Sequence, residues 1–427
     1  MRNRSCLLLV VTIVLISSSY SSAAGVRDYK FDRTISRRVL ENYLARAVTH
    51  AGLCSSSPDP TTACLDDDIR MLTAIGAKFV GRAAFAWYLP PSEARHFSEV
   101  KAAAAKVHEA DPEIILQACI FETASKKVEG IPVPAWVFGA FGLPAKMRNF
   151  DYEAMLYDNG YGHNKWRRGV SVPDMSKLET RLWFYYRAGR YIDSGIEAIH
   201  FGQVKIMDRA DPGHRHWLDM LERVRTYAHK HARRHLVLCD AHTHGEVEND
   251  RLLFDFHSYP LMMKEIKGKP EEAMLSMNWP MSHPPIYGRS KGGITPSGWS
   301  CKSLPYLVEF DNCGYSGKGG QSVGGPWVWG YDEISWFSQQ DEKYRDYWLR
   351  YAWKWMREHD ENGYLQMPTR RIILTCPIAD RVLVMYCANT PSEACPTGFN
   401  VEKTIKDIWD GAQRRTRSSG SEASVSV

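Results

Sequence analysis

A chain of 427 residues can bury one large α/β barrel or two to three smaller domains. Its formal net charge is only +5, two of the cations being Arg2 and Arg4, and no Lys/Arg run is long, which excludes a broad polyanion-binding face and a nucleic-acid partner. Aromatic residues make up 12% of the chain, with 14 Trp and 21 Tyr, so ring faces are available beyond what a core consumes.

The chain begins with Arg2 and Arg4, an apolar run over 6–16 and the small residues Ser21-Ser22-Ala23-Ala24, the pattern of a secretory signal peptide over 1–24 cleaved near Ala24. That run is too short for a comfortable membrane span and no later run is long enough, which predicts a secreted or extracytoplasmic protein with no membrane partner once the leader is removed. Of ten cysteines Cys6 falls in the leader, and the odd number left implies at least one free thiol. Cys54 and Cys64, Cys301 and Cys313, and Cys387 and Cys395 each flank a short stretch and are expected to form at least two disulfides, whereas Cys119 and Cys239 lie in apolar runs and read as buried thiols. Structural-zinc spacings are absent, and neither a cofactor nor a catalytic metal is expected.

Residues 25–70 read as an N-terminal helical and irregular segment, helical over 28–50. The first strand candidate is 78–87, followed by an alanine-rich helix capped by Ser92, and the second is 113–122. The stretch 130–174 is aromatic, rich in Gly and Pro, and too long for a simple connection; it reads as a substrate lid or an insertion and is expected to hide a third strand. A helix over 175–193 delivers the strand 196–203, and a helix over 214–232 precedes the strands 235–242 and 252–259. After a long loop, the apolar run 306–310 stops at Asn312-Cys313-Gly314 and reads as one short buried strand. A Gly-rich segment, a long helix over 332–359, a strand within 363–375, a strand over 381–387 and a short helix near 401–409 follow, and 411–427 reads as a disordered tail.

Strand and helix alternate, and the strands are near-continuous apolar runs of the kind that parallel sheets bury on both faces. With the hidden third they number about eight. The expected fold class is α/β, a (β/α)8 TIM barrel over 71–410 with long strand-helix loops and a small C-terminal extension. A doubly wound sheet is the alternative, weakened by the lack of a Gly-rich phosphate loop after the first strand.

In a barrel the C-terminal ends of the strands meet at one mouth. Strand alternation puts Leu307, Glu309 and Asp311 on one face, so two carboxylates sit side by side at a strand end, where burial demands a partner or a function. The other polar strand-end residues are Glu122, Gln203, Asp240, His242 and His257. Together with Trp87, Trp166, Trp327 and Tyr259 they suit a carbohydrate better than a phosphate, because flat rings stack on the C–H faces of pyranoses. Glycosidic cleavage needs two carboxyls, and Glu309, Asp311, Asp240 and Glu122 are the catalytic candidates.

In architecture, over about residues 70–410, the chain resembles the (β/α)8 glycoside hydrolases. In the large clan of retaining barrel glycosidases a nucleophilic Glu ends the seventh strand and an acid/base Glu ends the fourth. The resemblance implies a secreted enzyme acting on O-glycosidic bonds of a poly- or oligosaccharide, with Glu309 as nucleophile. The fourth strand, however, ends His200-Phe201-Gly202-Gln203, and a glutamine cannot donate an acidic proton. Either the acid comes from Asp240 or Glu122, or the barrel binds carbohydrate without cleaving it. Glu309-Phe310-Asp311-Asn312-Cys313 is also similar to the Tyr-Asp-Asn-Cys strand of α-galactosidase-like enzymes, which would make Asp311 the nucleophile. A third reading comes from Cys239-Asp240-Ala241-His242-Thr243-His244-Gly245, which resembles the His-x-His strand of metal-dependent amidohydrolases; only His257 and His283 lie between it and His359 as further ligands.

Overall fold

Short apolar runs bounded by helices can bury both faces only if the runs pair in parallel and the helices cover the outside. A computed structural model describes residues 27–55, 64–269, 272–279, 284–325, 327–378 and 381–422, so the leader predicted over 1–24 lies outside them. Its strands are β1 (Ala47–His50), β2 (Phe79–Phe85), β3 (Ile115–Cys119), β4 (Ala198–Gln203), β5 (Leu238–His242), β6 (His257–Pro260), β7 (Tyr306–Glu309), β8 (Gly363–Leu365), β9 (Met367–Ile378) and β10 (Arg381–Cys387). From β1 to β8 each pairs in parallel with the next.

The sheet closes on itself. β8 and β9 are one strand interrupted only at Gln366; its first part pairs with β7, Leu307 opposite Tyr364, and its second pairs in parallel with β1, Val48 opposite Met367. Gln366 bonds to both sides of the seam, its backbone N–H donating to Val308 O at 2.8 Å and its side-chain amide to Val48 O at 2.9 Å. The fold is therefore the expected (β/α)8 barrel, to which β10 adds an antiparallel strand on the far part of β9.

Three expectations about strands are corrected. The first strand is β1, inside the stretch read as helical; the helix α1 (Arg37–Leu44), capped by Ser36, ends before it. Within 130–174 the only strand among the described residues is Val170–Ser171, which pairs with Ala124–Ser125 outside the barrel. The run 252–259 is also divided: Arg251–Leu252 forms a hairpin with Val247–Glu248, and only β6 joins the barrel. The expected long helix is two, α2 (Glu333–Gln339) and α3 (Glu342–His359), each started by its own aspartate cap, Asp332 and Asp341. The helix expected near 401–409 is α4 (Glu402–Glu422) among the described residues. Ile405, Ile408 and Trp409 bury the start of α4.

The barrel interior is layered by strand alternation. α1 plugs the N-terminal end, where Val39, Leu40, Tyr43 and Leu44 join one apolar cluster with Ala47, Phe79, Ala198, Leu238, Leu307 and Tyr364, residues near the strand starts. One pleat higher, two residues on, come Thr49, Gly81, Gln117, His200, Asp240, Glu309 and Gln366. Barrels usually fill such layers with Val, Ile and Leu. Here a polar layer sits on an apolar floor, directly beneath the mouth.

Candidate active site

The polar layer is stitched by hydrogen bonds around two acids. Asp240 is fully enclosed and accepts from the Gln117 amide at 2.7 Å and the Ser258 hydroxyl at 2.7 Å, with His200 Nδ1 2.9 Å away. Burial keeps the His200 ring below its usual pKa, although Asp240 opposes the shift. Glu309, only 5% exposed, is held by the buried guanidinium of Arg82, whose Nε donates at 2.8 Å and whose Nη2 also donates. His242 Nε2 lies 3.4 Å from the same carboxyl and the Thr49 hydroxyl 3.4 Å from it.

Arg82 reaches Glu309 because the backbone bends for it. The β2–β3 ladder slips between Val80 and Ala84, and Arg82 sits there at φ 57°, with its own N–H donating to Gln117 Oε1 at 3.1 Å. Gly81 has no alternative at this bend, since a Cβ there would lie 1.9 Å from the Gln366 amide.

Asp311, one pleat beyond Glu309, is bonded by Arg371 and lies 3.6 Å from Arg82 Nη2. Burial would raise both carboxyls; the charges of Arg82 and Arg371 outweigh it, holding Glu309 well below the usual carboxylate range and Asp311 below its own. Two guanidinium groups thus neutralise two carboxylates. His242, Glu309 and Asp311 do offer ligand atoms within 4.8 Å of one another, but a cation there would have to compete with Arg82 for both acids.

Above this layer opens a cavity of about 670 Å³ lined by residues that include Gln203, His242, Glu246, Tyr259, Asp311 and Trp327. Glu309 is not in its wall. Asp311 is, with 20% of its side chain exposed. Of the residues singled out in the sequence, the mouth therefore brings together Asp311, Gln203, His242, Tyr259 and Trp327, with Glu309 one layer down and Asp240 at the same depth as Glu309.

The others go elsewhere. Glu122 is buried and bound to the end of β4, accepting from the Gln203 amide at 2.7 Å and the Gln203 N–H at 3.0 Å. This approach depends on Gly202 at φ 66°, where a Cβ would lie 1.9 Å from Glu122 Oε2. Trp87 and Trp166 pack on one another, Trp87 also on Phe121, and Trp166 donates to Glu122 O, away from the ring of Trp327. His257 opens β6 rather than ending it, and its enclosed ring lies 3.1 Å from Ser290 Oγ. His244 faces Pro284 O at 3.0 Å and the ring of Tyr259, so the two histidines of the His-x-His stretch do not converge on one point with His257.

Sequence reasoning missed Arg82, Arg371 and Glu246. A charged residue inside the apolar runs of β2 and β9 was the available signal, because a buried arginine requires an acid. Glu246 lies beyond β5, just before the Val247–Glu248 hairpin strand, accepts from the Thr243 hydroxyl at 2.7 Å, and has His214 Nε2 3.4 Å away.

No protein family and no curated protein matches the chain. Among solved structures it is similar to the native Nostoc punctiforme debranching enzyme at TM-score 0.41 and 10% identity, covering 87% of this chain and 80% of that one. A β-L-arabinopyranosidase from Geobacillus stearothermophilus in complex with arabinose gives 0.27 and 10%, covering 47% and 50%. The glycoside hydrolase domain of PelA from Pseudomonas aeruginosa gives 0.26 and 9%, covering 61% and 83%. These likenesses are too distant to assign a family, and the barrel rests on its own strand pairing.

Proposed function

We propose that this barrel hydrolyses glycosidic bonds, with Asp311 as the carboxylate that meets the substrate, and that it works outside the cytoplasm as its leader pattern suggests. The observation that carries the reading is the position of Asp311: it lies two residues beyond the end of β7, faces a cavity walled by Trp327 and Tyr259, and is kept ionised by Arg371 and Arg82. An ionised carboxylate serves as nucleophile, base or oxocarbenium partner, and not as the acid. Glu246, in the same cavity wall, is the carboxyl left to protonate the leaving oxygen. Glu309 acts from behind, fixing Arg82 so that the guanidinium bridges towards Asp311. Asp240 and Glu122, fully engaged with donors, shape the strands.

The test is hydrolysis of a panel of aryl glycosides and oligosaccharides by the wild type, Asp311→Asn and Glu246→Gln. Asp311→Asn should lower turnover by about 10³-fold or more while glycan binding persists. Glu246→Gln should spare aryl glycosides with good leaving groups and impair poor ones. Equal turnover by wild type and Asp311→Asn on a cleaved substrate overturns the assignment. One observation favours a second reading, a barrel that binds glycan without cleaving it: the end of β4 presents Gln203 with its amide committed to Glu122. Calorimetric binding of an oligosaccharide that is never cleaved would establish that reading instead.

A further inference from the structure

The cavity wall carries three cations that the proposed chemistry does not use. Lys205 lies in the short helix Val204–Met207 that follows β4, Arg289 and Lys291 come from the loop ahead of β7, and all three are exposed. Their backbone positions are fixed: the Lys291 N–H donates to His244 O at 2.8 Å and the Arg289 N–H to Ile286 O at 2.8 Å. Lys291 also packs directly on Gly245, where an added Cβ would come within 2.8 Å of the lysine Cβ.

Among the described residues, none of the three has a carboxylate within ion-pair distance, whereas the acids of the same wall already have cations. Asp311 is matched by Arg371 and Arg82, and Glu246 lies against His214. The nearby Asp208 also faces His214, and Asp211 accepts from the backbone N–H groups of His216 and Trp217. The positive charge of Lys205, Arg289 and Lys291 is therefore left for whatever fills the cavity. It acts there already: burial lowers the pKa of His244 and of His257, and Lys205 with Arg289 on the former and Lys291 on the latter push the same way.

We infer that the cavity takes a negatively charged glycan, whose carboxylate or sulfate groups meet Lys205, Arg289 and Lys291 while a sugar face lies on Trp327 or Tyr259. This rests on the carbohydrate reading of the site and specifies its substrate class. Arg289 offers a planar fork that matches either anion in two hydrogen bonds, and the lysines supply point charges around it. The charge is local to the mouth, consistent with a chain whose overall balance is nearly neutral.

The experiment is calorimetric binding in the Asp311→Asn background, so that turnover does not blur it. The probes are an oligogalacturonate, the same oligosaccharide as its methyl ester, a sulfated galactan oligosaccharide and its desulfated form. At low salt an anionic probe should bind about tenfold more tightly than its neutral counterpart, a factor that three exposed ion pairs of ordinary strength supply together. High salt should erase the advantage, and so should combined Lys205→Ala, Arg289→Ala and Lys291→Ala substitutions in protein whose melting temperature is unchanged. Preference for the uronate or for the sulfate identifies the anion. Neutral forms bound as tightly as charged ones overturn the inference and leave the glycosidase reading standing. Absence of binding to every probe, with no cleavage of any glycoside by the wild type, overturns both.

Discussion

Arg82 is the residue on which the polar layer turns. Its φ of 57° costs a non-glycine residue roughly 1–3 kcal/mol, and the surrounding ladder holds it there for the sake of one guanidinium. Arg82→Ala would leave Glu309 enclosed without its partner, and loss of one member of a buried pair costs about 3–5 kcal/mol. Urea denaturation at neutral pH should show that loss. Adding Glu309→Gln to Arg82→Ala should recover part of it, and a double variant no better than Arg82→Ala would mean that Glu309 is held by other groups. At this scale the sequence was partly readable. Period-2 alternation along 307–311 correctly set Glu309 and Asp311 on one face, because that relation is local. Which of the two reaches the cavity was not readable, since it depends on Arg82, which is 227 positions away in the chain.

At the scale of elements, Lys264–Glu265 shows how a loop can be held in place near the mouth. Glu265 accepts the backbone N–H groups of Val328 and Trp329, fixing the loop that carries Trp327. Burial pushes this carboxyl up to about 7, with the two N–H donors opposing, and burial likewise raises Glu333 to about 8. A carboxyl whose folded pKa lies above its unfolded value favours the folded state fully below the unfolded pKa and loses that contribution as pH rises through the folded one. Melting temperature should therefore fall between about pH 6.5 and 8, above the range in which buried histidines with lowered pKa such as His96 and His257 change charge, and it should fall less in Glu265→Gln; an identical slope in the variant would remove Glu265 as the cause. Glu309 and Asp311, with depressed pKa values, act in the opposite sense and withdraw stability as pH drops below their unfolded range.

The cysteine pairs also separate at this scale. Cys301 and Cys313 lie at opposite ends of β7, Cys301 Sγ near Gly293 O and Cys313 in the cavity wall, so their expected disulfide is ruled out by the strand between them. Cys54 and Cys64 are free thiols on either side of residues outside the described set. Cys387 and Cys395 are free but in side-chain contact. Oxidised glutathione should close that pair by thiol exchange, releasing two equivalents of reduced glutathione, and peptide mapping without reductant should recover 387 joined to 395. Both thiols still alkylatable after such treatment would exclude it. The strand missed in the sequence has an equally physical cause. Ala47–His50 is four residues long and follows α1 after two residues, so the helical period of the sequence runs on into it. Because the missing strand was assigned to the wrong place but still counted, the numbering from β4 to β7 was right.

At the scale of the molecule, the order of residues constrains how the barrel is made. The first strand and the last share a ladder, Thr369 Oγ1 donating to Thr49 O across 320 positions, and every strand but the last can pair with its forward neighbour before the seam exists. Contacts so distant are reached late, since closing the intervening chain costs entropy before any bond repays it. Pulse-labelled hydrogen exchange during refolding should thus find the amides of β9, and those of β1 that face it, protected after those of β3 to β5, and simultaneous protection would contradict this order. Until then the sheet has two open edges, at β1 and β7, each able to pair with another chain. Gln366, bonded to both sides of the seam, is accordingly a latch as well as a core residue: a chain that stalls before it is made is a curved ribbon with two adhesive borders, and its fate is decided by how soon that last strand arrives.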